Sequence, residues 1–285
     1  MRLSDCRLQL WLEIPEGSAA PQGLPPGVAA LEEVAVSRWE HAHCGLVHRV
    51  STQDGVVRQD TTLVTPQGSL RQVAFQQIGG GFRVTDAFVR KEAHLEKLRF
   101  FLKDIEVVAL PPAQPAPCAR LTRLPLTPAA QLADWIAPRV VQAKPSSYAQ
   151  GLKRLSQHYR CQLALALAAQ PRFVLLPEAG TMGIEEFLPA ALPEGTELLA
   201  LVGDAEAVLP PVPLHPLWRL EAALRGHLPP ETSTLYLTLP DRSPDDLAAE
   251  LARLPLPEGL EEVHLFSSLP PEPALTLWKK ITTAP

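Results

Sequence analysis

From Arg172 to the end, the chain repeats one pattern: a short apolar run, a turn, and a segment with helical spacing. The apolar runs are RFVLL, ELLALV, STLYLTL and EEVHLF; the segments that follow are IEEFLPAAL, PLWRLEAALRG, SPDDLAAELARL and PALTLWKKI. Short runs without polar alternation are strands buried on both faces, and such strands belong to parallel sheets covered by helices. Right-handed crossovers wind successive units in one direction. The third helix has the clearest start, with Ser243 as cap, Pro244 in the first turn and Asp246 placed to complete a capping box.

A complete eight-unit barrel takes about 250 residues, and the clear repeats occupy only the last part of this 285-residue chain. The fold class is therefore α/β: an incomplete or compacted TIM-barrel-like array of parallel βα repeats with an N-terminal antiparallel β-hairpin region. An open parallel sheet is the alternative. Residues 1–104 form the β-rich region with an entry helix and residues 105–285 the barrel-like region, within one continuous domain.

In the N-terminal part, Leu8, Leu10, Leu12 and Ile14 alternate with polar or amphipathic neighbours, which is strand periodicity. EEVAVSRWE and CGLVHRVS read as further strands. Asp54-Gly55 and Pro66-Gln67-Gly68 read as tight turns between strands. Near Lys91 the period changes, and Leu95, Leu98, Phe101 and Leu102 fall on one helical face. IEVVAL is a candidate fifth barrel strand, residues 111–128 a proline-rich link, and helices are predicted near 129–142 and 147–169. The 31 prolines, about twice ordinary usage, cluster between elements and stiffen the connections.

The passage TPQGSLRQVAFQQ, a glycine cluster, then FRVTDAFVRKEAHLEKLRFFLKD resembles a stretch of the uroporphyrinogen decarboxylase superfamily, in particular its corrinoid-linked methyltransferase-like branch. Thr65, Pro66, Gly68, Leu95, Leu98 and Asp104 match as they stand. LEEVHLFSSLPPEPALTLWKKI is similar to the last strand and helix of the family barrel. The resemblance implies a TIM barrel and either methyl transfer on a small molecule with a corrinoid protein as partner, or decarboxylase-like lyase chemistry. It also implies zinc or a corrinoid as cofactor. The family's zinc ligands, a His-x-Cys after one mid-barrel strand and a cysteine after a later one, are not found. Val202, Gly203 and Asp204 stand at the first position and HLFSSL at the second. A catalytically degenerate relative that binds a ligand or a protein is the alternative function.

Active sites of such folds lie beyond the carboxyl ends of the strands. Those ends offer Glu178, Asp204 and Asp241 as catalytic carboxylates, and Ser267 as a ligand contact. The plainer account is that polar residues end strands as turn formers and caps. PEAGTMG joins a strand to a helix, so Gly180, Thr181 and Gly183 are candidates to hold an anionic group with backbone N–H donors. IGGGF lacks the Lys and Ser/Thr of a phosphate loop and reads as a hinge or bulge. In WEHAHCGLVH, alternation puts His41 and His43 on one strand face, a weak metal-site candidate with no remote third ligand.

The net charge of −5 is spread along the chain, so nothing points to nucleic acid or an anionic membrane surface as partner; a small-molecule ligand is the expected one. The four cysteines form no CxxC pair and read as reduced thiols. The first residues alternate rather than forming an apolar signal core, and no run reaches the roughly 18 residues of a membrane span. The expected setting is the cytoplasm.

Overall fold

The computed structural model describes residues 3–53, 56–76, 82–111, 118–176, 183–202, 213–225 and 228–283. Strands β1 (Arg7–Ile14), β2 (Val28–Glu33), β3 (Ser37–His41), β4 (Gly45–Gln53), β5 (Val56–Thr65), β6 (Gly68–Gln76) and β7 (Phe82–Asp86) precede helix α1 (Leu95–Asp104). Strands β8 (Ile105–Ala109) and β9 (Ala119–Arg123) lead into helices α2 (Pro128–Trp135), α3 (Pro138–Ala143) and α4 (Pro145–Ala168). The last part runs β10 (Phe173–Leu176), β11 (Glu197–Val202), β12 (Leu214–Arg219), α5 (Leu220–Leu224), β13 (Thr234–Leu239), α6 (Pro244–Leu251), β14 (Glu262–Ser267) and α7 (Pro271–Thr283).

Eight parallel strands close a barrel in the order β1-β14-β13-β12-β11-β10-β9-β2. The barrel is thus complete, neither the incomplete array nor the open sheet allowed by the sequence. It is economical because few of its strands are followed by a full helix. IEVVAL is not a barrel strand: as β8 it pairs antiparallel with β3, Trp39 opposite Val107. The barrel takes β1 and β2 instead, together with β9, which lies inside the proline-rich stretch read as a link. PLWRLEAALRG is a strand before it is a helix. Leu214, Leu217 and Trp218 are all buried, so both strand faces are covered, and α5 adds only five residues. IEEFLPAAL forms a single 3-10 turn, Ile184–Glu186, rather than a helix.

Alternation sorts the strand residues into two cores. Trp11, Leu31, Leu121, Phe173, Leu175, Leu199, Leu217, Tyr236 and Phe266 pack together inside the barrel. Leu10, Leu12, Leu235, Leu237, Val263 and Leu265 face outward onto α6 and α7, where Leu247, Leu277 and Trp278 cover them. The Ser243 cap holds as read: the Asp246 N–H donates to the Ser243 hydroxyl at 3.1 Å, and that hydroxyl donates to the Asp246 carboxylate at 2.7 Å, so the carboxylate meets the Ser243 side chain where a full capping box has it meet the backbone N–H.

Residues 34–118 leave the barrel between β2 and β9. They build a four-stranded antiparallel sheet, β4-β5-β6-β7, and the β3–β8 ribbon. Both rest on α1 to α4 through Leu63, Leu70, Phe101, Leu132, Trp135 and their neighbours. Thr65 pairs with Gly68 across Pro66-Gln67, and the Thr65 hydroxyl donates to the Gly68 carbonyl at 2.8 Å. Gly68 sits at φ +108°, open to glycine and strained for other residues. Asp54-Gly55 lies outside the described residues, although Gln53 pairs with Val56, and so does most of IGGGF.

Candidate functional site

Three neighbouring barrel strands end alike. Along each, an apolar side chain enters the barrel and a charged one follows two residues later: Trp11 then Glu13, Leu31 then Glu33, Leu121 then Arg123. Period-two alternation therefore sets Glu13, Glu33 and Arg123 over the apolar interior at the C-terminal mouth. The register brings them together, since Glu13 pairs with Leu31 and Glu33 with Leu121.

Arg123 bridges both carboxylates. Its Nε donates to Glu33 Oε2 at 2.8 Å and its Nη2 to Glu13 Oε2 at 3.3 Å. Glu13 is the deeper of the two, its side chain 26% exposed against 46% for Glu33. Burial pushes the Glu13 carboxyl above its ordinary value; Arg123 pulls it down and Glu33 pushes it up again. Pro15, Glu16, Glu33, Val34, Ala35 and Arg123 line a depression of about 350 Å³ there. The side chain of Glu32, on the opposite face, accepts from the Gly17 N–H at 2.9 Å and so ties down the chain leaving β1. The arrangement sets a guanidinium beside a carboxyl whose proton affinity burial raises.

The sequence matches no protein-family model and no curated protein.

The opposite mouth is also polar but differently built. Tyr236 donates to Glu197 at 2.5 Å, and Arg172 pairs with the same carboxylate. Trp11 Nε1 donates to Nδ1 of the buried His264, whose Nε2 lies 3.5 Å from Glu262. These groups, from β1, β11, β13, β14 and the residue before β10, satisfy one another, and the N-terminal face of such barrels serves stability.

Of the residues expected from the sequence, Glu178, Gly180, Thr181 and Asp204 lie outside the described residues. Gly183 takes a left-handed φ of +69° at the start of the 3-10 turn, with no full helix behind it to hold an anion. Asp241 is exposed just past β13. Ser267 is fully buried, and its hydroxyl accepts the Leu269 N–H at 3.2 Å, a turn bond. His41 ends β3 and stacks on Phe101 with ring centres 4.7 Å apart, whereas His43 pairs with Asp104 at 3.0 Å. Among the described residues no group of three or more His, Cys, Asp or Glu is placed to hold a metal ion. Glu13, Glu33 and Arg123 escape a reading confined to the last four strands; the apolar-x-charged ending, repeated in three segments, is the signal that finds them.

Among the described residues, no helix is long and apolar enough to cross a membrane.

Proposed function

We propose that the chain is an enzyme acting on a small carboxylate-bearing molecule at the C-terminal mouth of the barrel. The observation that carries this reading is Arg123 held between Glu13 and Glu33. A guanidinium matches a carboxylate bidentately and fixes its orientation. Glu13, held toward its protonated form by burial, then donates or takes a proton at the carbon next to the anchored group. In a decarboxylase-like reaction the C–CO₂ bond breaks, CO₂ leaves, and the electron pair left on carbon takes the Glu13 proton, which water restores. The resemblance to the uroporphyrinogen decarboxylase superfamily supports the same class.

The test is a melting-temperature screen against small mono- and dicarboxylates, followed by NMR in D₂O on each stabilising compound. Deuterium incorporation or CO₂ release that Glu13→Gln removes is the expected result. Binding without any reaction in the unaltered protein would favour the alternative, a catalytically degenerate relative that serves as a ligand-binding module.

Methyl transfer with a corrinoid protein is the second reading, supported by the resemblance of residues 65–104 and by the turn geometry at Thr65 and Gly68. The described residues do not fit the zinc that this branch uses. A thiol-activating zinc needs thiolate or imidazole ligands, and the Ser267 hydroxyl, committed to a turn, supplies neither. A spectral titration with cobalamin tests this reading. The four free cysteines accord with a reducing, cytoplasmic setting.

A further inference from the structure

A cleft of about 390 Å³ lies away from the barrel mouth, between α1 and α4. Leu95, Leu98, Leu102 and Ile136 form an apolar floor. Arg99, Lys103, Lys153 and Arg154 stand on the rim, with Glu96 as the one carboxylate among the lining residues. Arg99 is held by Glu96 and Gln150. Lys103, Lys153 and Arg154 make no ion pair among the described residues. A cationic rim is unusual in a chain whose net charge is −5.

Gly151 supplies an independent sign. It sits inside the 24-residue α4, where glycine is a poor choice for a helix. Packing does not demand it. A Cβ there would meet Leu102 at 3.5 Å and Leu132 at 3.6 Å, ordinary contact distances. What the missing side chain leaves is room in the cleft that Gly151 lines.

We propose that this cleft binds a small anionic amphiphile, with its apolar tail on the Leu98, Leu102 and Ile136 floor and its acid group at Lys103, Lys153 and Arg154. The volume lies in the range of small-molecule sites and is short for a docked partner helix. The cationic rim decides the sign of the ligand, and the apolar floor decides that it carries a tail.

The experiment is calorimetric titration of the whole chain with decanoate and, separately, with decyltrimethylammonium, which has the same tail and the opposite charge. The expected result is saturable binding of decanoate and binding of the cation that is about tenfold or more weaker. Gly151→Leu, which fills the floor, and the double reversal Lys103→Glu with Arg154→Glu, which inverts the rim, should each weaken decanoate by about tenfold or more. Melting curves confirm that each variant is folded. If Gly151→Leu does not fold, Gly151→Ala, whose Cβ has room, takes its place with a smaller loss in the same direction. Equal binding of the two amphiphiles overturns the proposal, as does decanoate binding untouched by the folded variants. Failure to bind decanoate at all also overturns it, even if an acidic amphipathic peptide is found to bind at Lys103.

Discussion

The Trp11 indole N–H donates to Nδ1 of His264 at 3.0 Å, between the neighbouring strands β1 and β14, and the two rings lie 8° from parallel. This single bond fixes the imidazole with its proton on Nε2, toward Glu262. Trp11→Phe keeps most of the ring volume and leaves the buried Nδ1 without its donor. The expected cost is about 1–3 kcal/mol in urea unfolding.

Burial lowers the His264 affinity for a proton, although Glu197 and Glu262 oppose the shift. His41 and His158 are lowered by burial too. A histidine depressed in the folded state binds more protons when unfolded, so stability rises with pH through this window. It should be complete above the unfolded value of about 6.5 and decline as pH falls below it. Urea midpoints between pH 5 and 8 check this, and His264→Gln should flatten part of the slope.

At the proposed active site, Glu13→Gln should lower kcat by about a hundredfold or more while KM changes little. Arg123→Met should raise KM for carboxylate substrates and weaken their binding by about 1.5–3 kcal/mol. Steady-state kinetics on the first substrate found by the screen separates the two effects. Equal losses in KM for both variants would contradict the assigned roles.

Gly27 approaches the Trp278 ring so closely that a Cβ would sit 2.5 Å from Cζ2, at φ +80°. Gly27→Ala should therefore cost about 2–4 kcal/mol, from left-handed strain and overpacking together. Trp278→Leu combined with Gly27→Ala should restore the packing share, which a double-mutant cycle of unfolding energies measures.

Burial and the neighbouring Asp104 push the Cys44 thiol up to about 11. Burial also acts on Asp104, yet hydrogen bonds from His43 and Cys44 outweigh it and hold that carboxyl at about 2. Cys44 should then react with a disulfide reagent at pH 8 about a hundredfold more slowly than an ordinary exposed thiol. The exposed Cys161 should react first. Asp104→Asn should speed the Cys44 reaction; a stopped-flow trace with single-cysteine variants reads both.

Strands β10, β11, β13 and β14 are legible in the sequence because burial on both faces removes polar alternation from Val174, Leu199, Leu237 and Leu265. β12 is hidden because Leu214, Leu217 and Trp218 satisfy a helical period as well as a strand, and tertiary pairing with β11 and β13 decides between them. β9 is hidden by the prolines around it and by Arg120 and Arg123, which make a barrel strand look like a linker. Glu13 and Glu33 become visible as a pair only once β1 and β2 are known to be parallel neighbours, and that adjacency is a property of the closed sheet. The long-range partner of Trp11, residue 264, leaves no local trace at all.

Strands β9 to β14 neighbour one another in chain order, so that arc closes with little loop entropy, whereas β2 reaches β9 only across residues 34–118. An arc assembled without its first two staves holds Arg123 with neither glutamate. On the proposed function, chemistry at this mouth would depend on completion of the ring: a half-built or nicked molecule without β1 and β2 would keep Arg123 and lose both glutamates that hold it.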